Sequence, residues 1–137
     1  MENTETAAAT AALLEELRQY SEGLQYISET EAPFEVVCFP DFQGDEPTEA
    51  NLTLWAGKAL DEPIETTELP HFLQHLTTAA EDQEPNASRF QQLQQLLELR
   101  LQDVKVYRIG RRRITAFILG RTATGTLAGL KTTLVET

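Results

Sequence analysis

One cysteine, two histidines, one tryptophan and one methionine in 137 residues leave this chain with little of the usual chemistry of enzyme sites. A lone cysteine, Cys38, rules out an internal disulfide and fits a reducing compartment. It lies in the strand-like run Phe34-Glu35-Val36-Val37-Cys38-Phe39, where a buried structural thiol is expected rather than a reactive one. The histidines, His71 and His75, are four residues apart, so they share one face of a helix at a spacing that can chelate zinc. No cysteine and no well-placed third ligand joins them, although Glu68 lies one turn back. They are read as surface histidines that hold no metal. A His-Asp nucleophile arrangement would have to use this same pair. Neither a Gly-x-Ser-x-Gly elbow nor a phosphate-cradling glycine loop is present. Gly120, Gly125 and Gly129 fit turn and close-packing positions instead. The chain is therefore expected not to be an enzyme and to carry no cofactor.

Long apolar runs are missing too. None approaches the roughly 20 residues that span a bilayer, so no membrane association is expected. The opening Met1-Glu2-Asn3-Thr4-Glu5 is acidic where a signal peptide would be basic, and a cytoplasmic location is the expectation. For such a chain the sequons Asn51-Leu52-Thr53 and Asn86-Ala87-Ser88 have no use. The length fits one domain over residues 1–137, large enough to bury about two-thirds of its unfolded surface.

Positive charge is scarce over most of the chain. Residues 1–98 contain 20 acidic side chains against Arg18, Lys58 and Arg89, a balance of −17, whereas residues 99–137 hold eight basic residues against Asp103 and Glu136, a balance of +6. From Glu22 to Glu84 there are 15 acids and one base, Lys58. Such a surface repels phosphates and attracts proteins that bind them. Arg111-Arg112-Arg113 is the one basic cluster, but no stacking aromatics accompany it, and it reads as a solvated turn or as an internal counter to the acidic half. Nucleic acid is not an expected partner.

Periodicity gives an element order of α-β-β-α-α-β-β-β. Leu13, Leu17, Tyr20 and Leu24 recur at helical spacing, which predicts a helix over residues 7–22. Ser28 to Ala32 reads as a polar connection before Pro33, and Phe34–Phe39 as the first strand. Leu52–Ala56 reads as the return strand of a hairpin. Asp61-Glu62-Pro63 is a connection, and Thr67-Glu68-Leu69-Pro70 opens a helix striped by Phe72, Leu73 and Leu76. Asn86 is a cap candidate for a helix placing Phe90, Leu93, Leu97 and Leu101 on one face. Strands at Val104–Ile109, Arg113–Leu119 and Leu130–Val135 follow. Adjacent strands joined by short turns predict an α+β fold with a mostly antiparallel sheet.

Two separated stretches carry a resemblance. Tyr26-Ile27-Ser28-Glu29-Thr30-Glu31-Ala32-Pro33-Phe34-Glu35-Val36-Val37 is one, with Ser-Glu-x-Glu followed by Pro-Phe-Glu-Val. The other is the glycine-punctuated run Val106-Tyr107-Arg108-Ile109-Gly110, Ile118-Leu119-Gly120-Arg121 and Leu127-Ala128-Gly129-Leu130, which ends in Leu134-Val135-Glu136-Thr137. In this order they resemble the nuclease A inhibitor family, whose members plug the active site of a sugar-non-specific, magnesium-dependent nuclease. The resemblance implies a three-layer α-β-α sandwich with the sheet in the middle, a PR-1-like fold. It implies that Glu29 matches the glutamate inserted toward the nuclease's metal region and that Thr137 matches the terminal threonine reaching the magnesium ion. Glu31, in the same motif, is a further partner-binding candidate. Family members also carry an Asp-Trp pair in the acidic loop between the second and third helices. Here that loop reads Ala80-Glu81-Asp82-Gln83-Glu84-Pro85, so Asp82, with Glu81 beside it, is the candidate to grip the rim, and no aromatic follows. The function implied is inhibition of a non-specific endonuclease, with no metal of the chain's own and only the partner's magnesium in reach. A second reading is a binding module of the same fold with a different protein target.

Overall fold

Three long strands at the end of the chain supply the frame. In the computed structural model, which describes residues 2–78 and 85–136 with side chains from residue 8 onward, the elements run in the following order. They are α1 (Glu2–Ser21), β1 (Gln25–Ile27), β2 (Glu31–Pro33), β3 (Glu35–Phe39), α2 (Glu49–Ala56), β4 (Ile64–Thr67), α3 (Leu69–Thr77), α4 (Ala87–Arg100), β5 (Gln102–Ile109), β6 (Arg113–Arg121) and β7 (Leu127–Val135). Five strands form an antiparallel sheet in the order β3-β7-β6-β5-β4, and β1 pairs with β2 in a separate two-stranded hairpin. The fold is α+β, as the patterning indicates.

Strand β6 reads Ile114-Thr115-Ala116-Phe117-Ile118-Leu119, almost without a polar position, because both of its faces are buried. Ile114, Ala116 and Ile118 join Leu130 and Leu134 of β7 in a cluster with Leu13 and Leu17 of α1, Leu73 and Leu76 of α3, and Phe90, Leu93 and Leu97 of α4. Phe117 and Leu119 point the other way, into a smaller cluster with Tyr107, Ile109, Leu127 and Leu52. Gly129 permits the close approach of β7 to β6, because a Cβ there would run into the Ile118 carbonyl.

Three readings from periodicity need correction. Leu52–Ala56 is not the return strand of a hairpin but the body of α2. Thr48 caps it, its hydroxyl accepting from the Asn51 amide at 3.1 Å while the Asn51 side chain accepts from the Thr48 amide at 3.0 Å. Gly57 ends it in the left-handed conformation at φ 69°. Leu52, Trp55 and Ala56 face inward at helical spacing, and Leu54 is left 74% exposed. The first strand, now β3, therefore pairs with β7 from far along the chain instead of with a neighbour. Secondly, Ile64–Thr67 is a strand, β4, closing the sheet beside β5. Lastly, the Ser28–Ala32 connection contains a turn and the start of β2.

Candidate functional site

Strand β3 covers only half of β7. Their pairing runs from Phe39↔Leu127 to Glu35↔Lys131 and stops there. Beyond it the β1–β2 hairpin takes over that edge of β7 by isolated bonds rather than a ladder. The Thr132 hydroxyl faces two carbonyls, Ala32 O at 3.3 Å and Pro33 O at 3.0 Å. The Glu29 amide donates to Val135 O at 3.3 Å, and the Val135 amide donates to Ser28 Oγ at 3.0 Å. The turn itself is held by the Ser28 amide donating to Thr30 O at 2.8 Å. Glu29 is thus exposed at the tip of a turn tied to the strand that leads to Thr137, two residues on from Val135.

The other side of the same strand end is equally fixed. The Glu136 amide donates to Arg112 O at 2.9 Å, and its carboxylate meets Arg108 Nη2 at 2.5 Å. Arg108 reaches Glu65 of β4 as well, at 3.2 Å, and its side chain is only 18% exposed. A guanidinium suits this role because its planar fork serves two carboxylates at once. Behind the turn, Tyr26 stacks on Phe72 at 4.4 Å and donates its hydroxyl to Phe72 O at 3.1 Å. Burial pushes the Tyr26 pKa up to about 12, with Glu136 adding to the shift and Arg108 opposing it. His75 packs edge-on against Tyr26 at 5.1 Å, and its Nε2 lies 2.7 Å from Ile27 O. A carbonyl only accepts, so Nε2 carries the proton. His75 therefore buttresses the carbonyl just before Ser28 and is not poised with His71 for a metal. Glu68, one turn back, is drawn to Lys105 at 2.7 Å. Among the described residues no cluster of histidine, cysteine, aspartate and glutamate could hold a metal ion.

Of the residues singled out from the sequence, Glu29 and Glu31 come together on the hairpin, both exposed, Glu31 standing opposite Ile27 in β2. Glu81, Asp82 and Thr137 lie outside the described residues. Arg108 and Thr132 were not singled out, and Ser28 was noted only as the first residue of the Ser-Glu-x-Glu motif, since their partners lie 28, 100 and 107 residues away. Trp55 packs inward, stacked on Phe39 at 4.0 Å and met edge-on by Phe42 at 5.6 Å.

A family model described as nuclease A inhibitor-like protein matches residues 11–137. The chain belongs to the nuclease A inhibitor-like family. No curated protein matches it. Membership points to nuclease inhibition as the general activity, and to a nuclease as the kind of partner. The family is described as one of inhibitors.

In this nuclease A inhibitor-like protein the basic third lies against the acidic remainder. Arg100 pairs with Glu16, Lys105 with Glu68, Arg108 with Glu65, and Arg111 approaches Glu62 at 4.0 Å. Arg111 and Arg112 are exposed on the β5–β6 turn and Arg113 opens β6, which fits the reading as a solvated turn, with Arg111 4.0 Å from Glu62. Cys38 is half-buried on β3, and burial pushes its thiol pKa up, away from thiolate chemistry. No helix among the described residues is long and apolar enough to cross a membrane.

Proposed function

We propose that this chain is a cytoplasmic inhibitor of a non-specific, magnesium-dependent endonuclease, formed as a single domain over residues 1–137, and that it blocks the active site with the edge described above. Helices against both faces of the sheet support reading the architecture as a three-layer α-β-α sandwich of the PR-1-like kind. Glu29 enters the metal region of the cleft, and Thr137 reaches the partner's magnesium with its hydroxyl and, where the chain ends there, its α-carboxylate. Glu31 flanks them, and Glu81 and Asp82 grip the rim. Magnesium takes about six oxygen ligands and accepts them from carboxylates, hydroxyls and water, so such a thin acidic probe mimics a phosphodiester.

One observation carries this reading: the Glu29 amide is hydrogen-bonded to Val135, two residues before Thr137. The two stretches that separately match the family are thereby neighbours at one exposed edge. The second reading, a binding module with a different protein target, draws on the acidic loop without an aromatic and on Trp55 packed inside. Large aromatics are the usual anchors of an interface centre.

Titration of the purified protein into a magnesium-dependent, sugar-non-specific nuclease assay tests the proposal. Stoichiometric loss of activity is expected. Glu29→Gln should weaken inhibition by roughly 30-fold or more, since loss of a desolvated interfacial charge contact costs about 2–5 kcal/mol, while the melting temperature holds. If Glu31→Gln has the strong effect and Glu29→Gln shifts inhibition less than about threefold, the roles of the two glutamates are reversed. No inhibition of such a nuclease at stoichiometric protein would leave the binding-module reading in its place.

A further inference from the structure

The turn that carries Glu29 and the strand that leads to Thr137 meet at Val135, where one of the two hydrogen bonds runs through a side-chain atom, Ser28 Oγ. This inference rests on the inhibitor reading above. The hydroxyl accepts the Val135 amide at 3.0 Å and lies 3.3 Å from Thr30 O, to which it donates, and the Thr30 amide approaches it at 3.4 Å. A serine hydroxyl has one donor and two acceptor sites, so these three contacts use its full capacity. The bond to Val135 spans 107 residues, and the Glu29 amide returns a second bond to Val135 O at 3.3 Å. Val135 and the Ser28–Glu29 pair thus exchange bonds in both directions, as neighbouring strands do, but with a side-chain oxygen in place of a carbonyl. β3 ends its pairing with β7 at Lys131, and the other cross-link between the hairpin and this half of β7 is at Thr132. The junction at Val135, made by Ser28 Oγ together with the Glu29 amide, is therefore nearer to Glu29 and to the end of β7 than the one at Thr132.

We propose that Ser28 is a positioning residue that locks the Glu29 turn and the last residues of β7 into one unit, so that Glu29 and the end of β7 meet the nuclease in a fixed relative geometry. Preformed geometry matters because a probe that must be ordered on binding loses affinity to that ordering. The register of this unit depends on the hydroxyl, not on burial at residue 28, which is only half-buried.

The test uses the chain ending at Thr137, with Ser28→Ala and Ser28→Thr. In the free protein, amide hydrogen exchange by NMR should speed up at both Glu29 and Val135 in Ser28→Ala, and stay near the parent value in Ser28→Thr, which keeps the oxygen. Against a magnesium-dependent nuclease, Ser28→Ala should weaken inhibition about tenfold, the scale expected when an amide loses its partner, with Ser28→Thr restoring most of it. A double-mutant cycle between Glu29→Gln and a C-terminal extension should show coupling in the parent and near-additivity in Ser28→Ala. A merely structural role would lower the melting temperature without changing that coupling. If Ser28→Ala fails to fold, Ser28→Cys, whose sulfur accepts hydrogen bonds poorly, takes its place. Unchanged exchange at Val135, or unchanged coupling with a parent that inhibits, overturns the proposal. A parent that inhibits no such nuclease overturns the inhibitor reading instead, and the exchange measurement still decides whether Ser28 joins the two segments.

Discussion

Tyr26 shows how single side chains brace the edge that presents Glu29. Its ring stacks on Phe72, its hydroxyl donates to the Phe72 carbonyl, and burial raises its pKa to about 12. The folded state therefore favours the neutral phenol. That contribution to stability is whole below the unfolded tyrosine value of about 10 and is lost as pH climbs from there through about 12. Chemical denaturation at a series of alkaline pH values should show stability falling across this window, and Tyr26→Phe should flatten that part of the profile. An unchanged slope in Tyr26→Phe would assign the alkaline loss to other groups. At this scale the exposed placement of Glu29 and Glu31 on one short connection could be read from the contiguous Ser28-Glu29-Thr30-Glu31, whereas their proposed role rests on the family resemblance. The residues that brace the neighbouring strand end were not legible in this way. Arg108 and Ser28 act on Glu136 and Val135 across the sheet, and nothing near them in sequence announces those partners.

Among the elements, α2 is where periodicity misled and capping chemistry was decisive. Leu52-Thr53-Leu54-Trp55 alternates as a strand would, yet Leu54 is exposed while Leu52 and Trp55 pack inward three residues apart. The start signal, Thr48 with Asn51 three positions later, and the stop at Gly57 were in the sequence and outweigh four alternating residues. Thr48→Ala should cost about 1 kcal/mol, the usual scale for a lost N-cap, and lower the melting temperature by roughly 3 °C. Tryptophan fluorescence will report it, because Trp55 is stacked on Phe39 from this helix. No change on Thr48→Ala would mean that packing of Leu52 alone holds α2 in place. Strand β4 was hidden for another reason. Its four residues, Ile64–Thr67, have an exposed, polar centre and become a strand only by pairing with β5, forty residues later in the chain. By contrast α3, α4 and β5 to β7 were readable, since each carries its own long apolar pattern.

Across the whole molecule the charge is what selects partners. The formal net charge is −11, and several basic residues of the last third are already engaged with acids of the first two-thirds. A negative balance of this size disfavours phosphate-rich partners and, on the proposed function, would steer the chain toward a basic, phosphate-binding cleft. Stopped-flow association with the nuclease should slow steeply between low salt and about 0.5 M, where the Debye length falls to about 4 Å. A salt-independent on-rate would remove steering while leaving inhibition intact. The most direct measurement compares nuclease inhibition, in magnesium, by the chain ending at Thr137 and by the same chain extended past it by a short tag, with melting temperatures taken alongside. Extension replaces the terminal carboxylate with an amide and adds bulk at the probe. It should weaken inhibition about tenfold or more with the melting temperature unchanged, because chain ends tolerate change. A tagged chain that inhibits as well as the untagged one would contradict the insertion of Thr137 at the partner's magnesium.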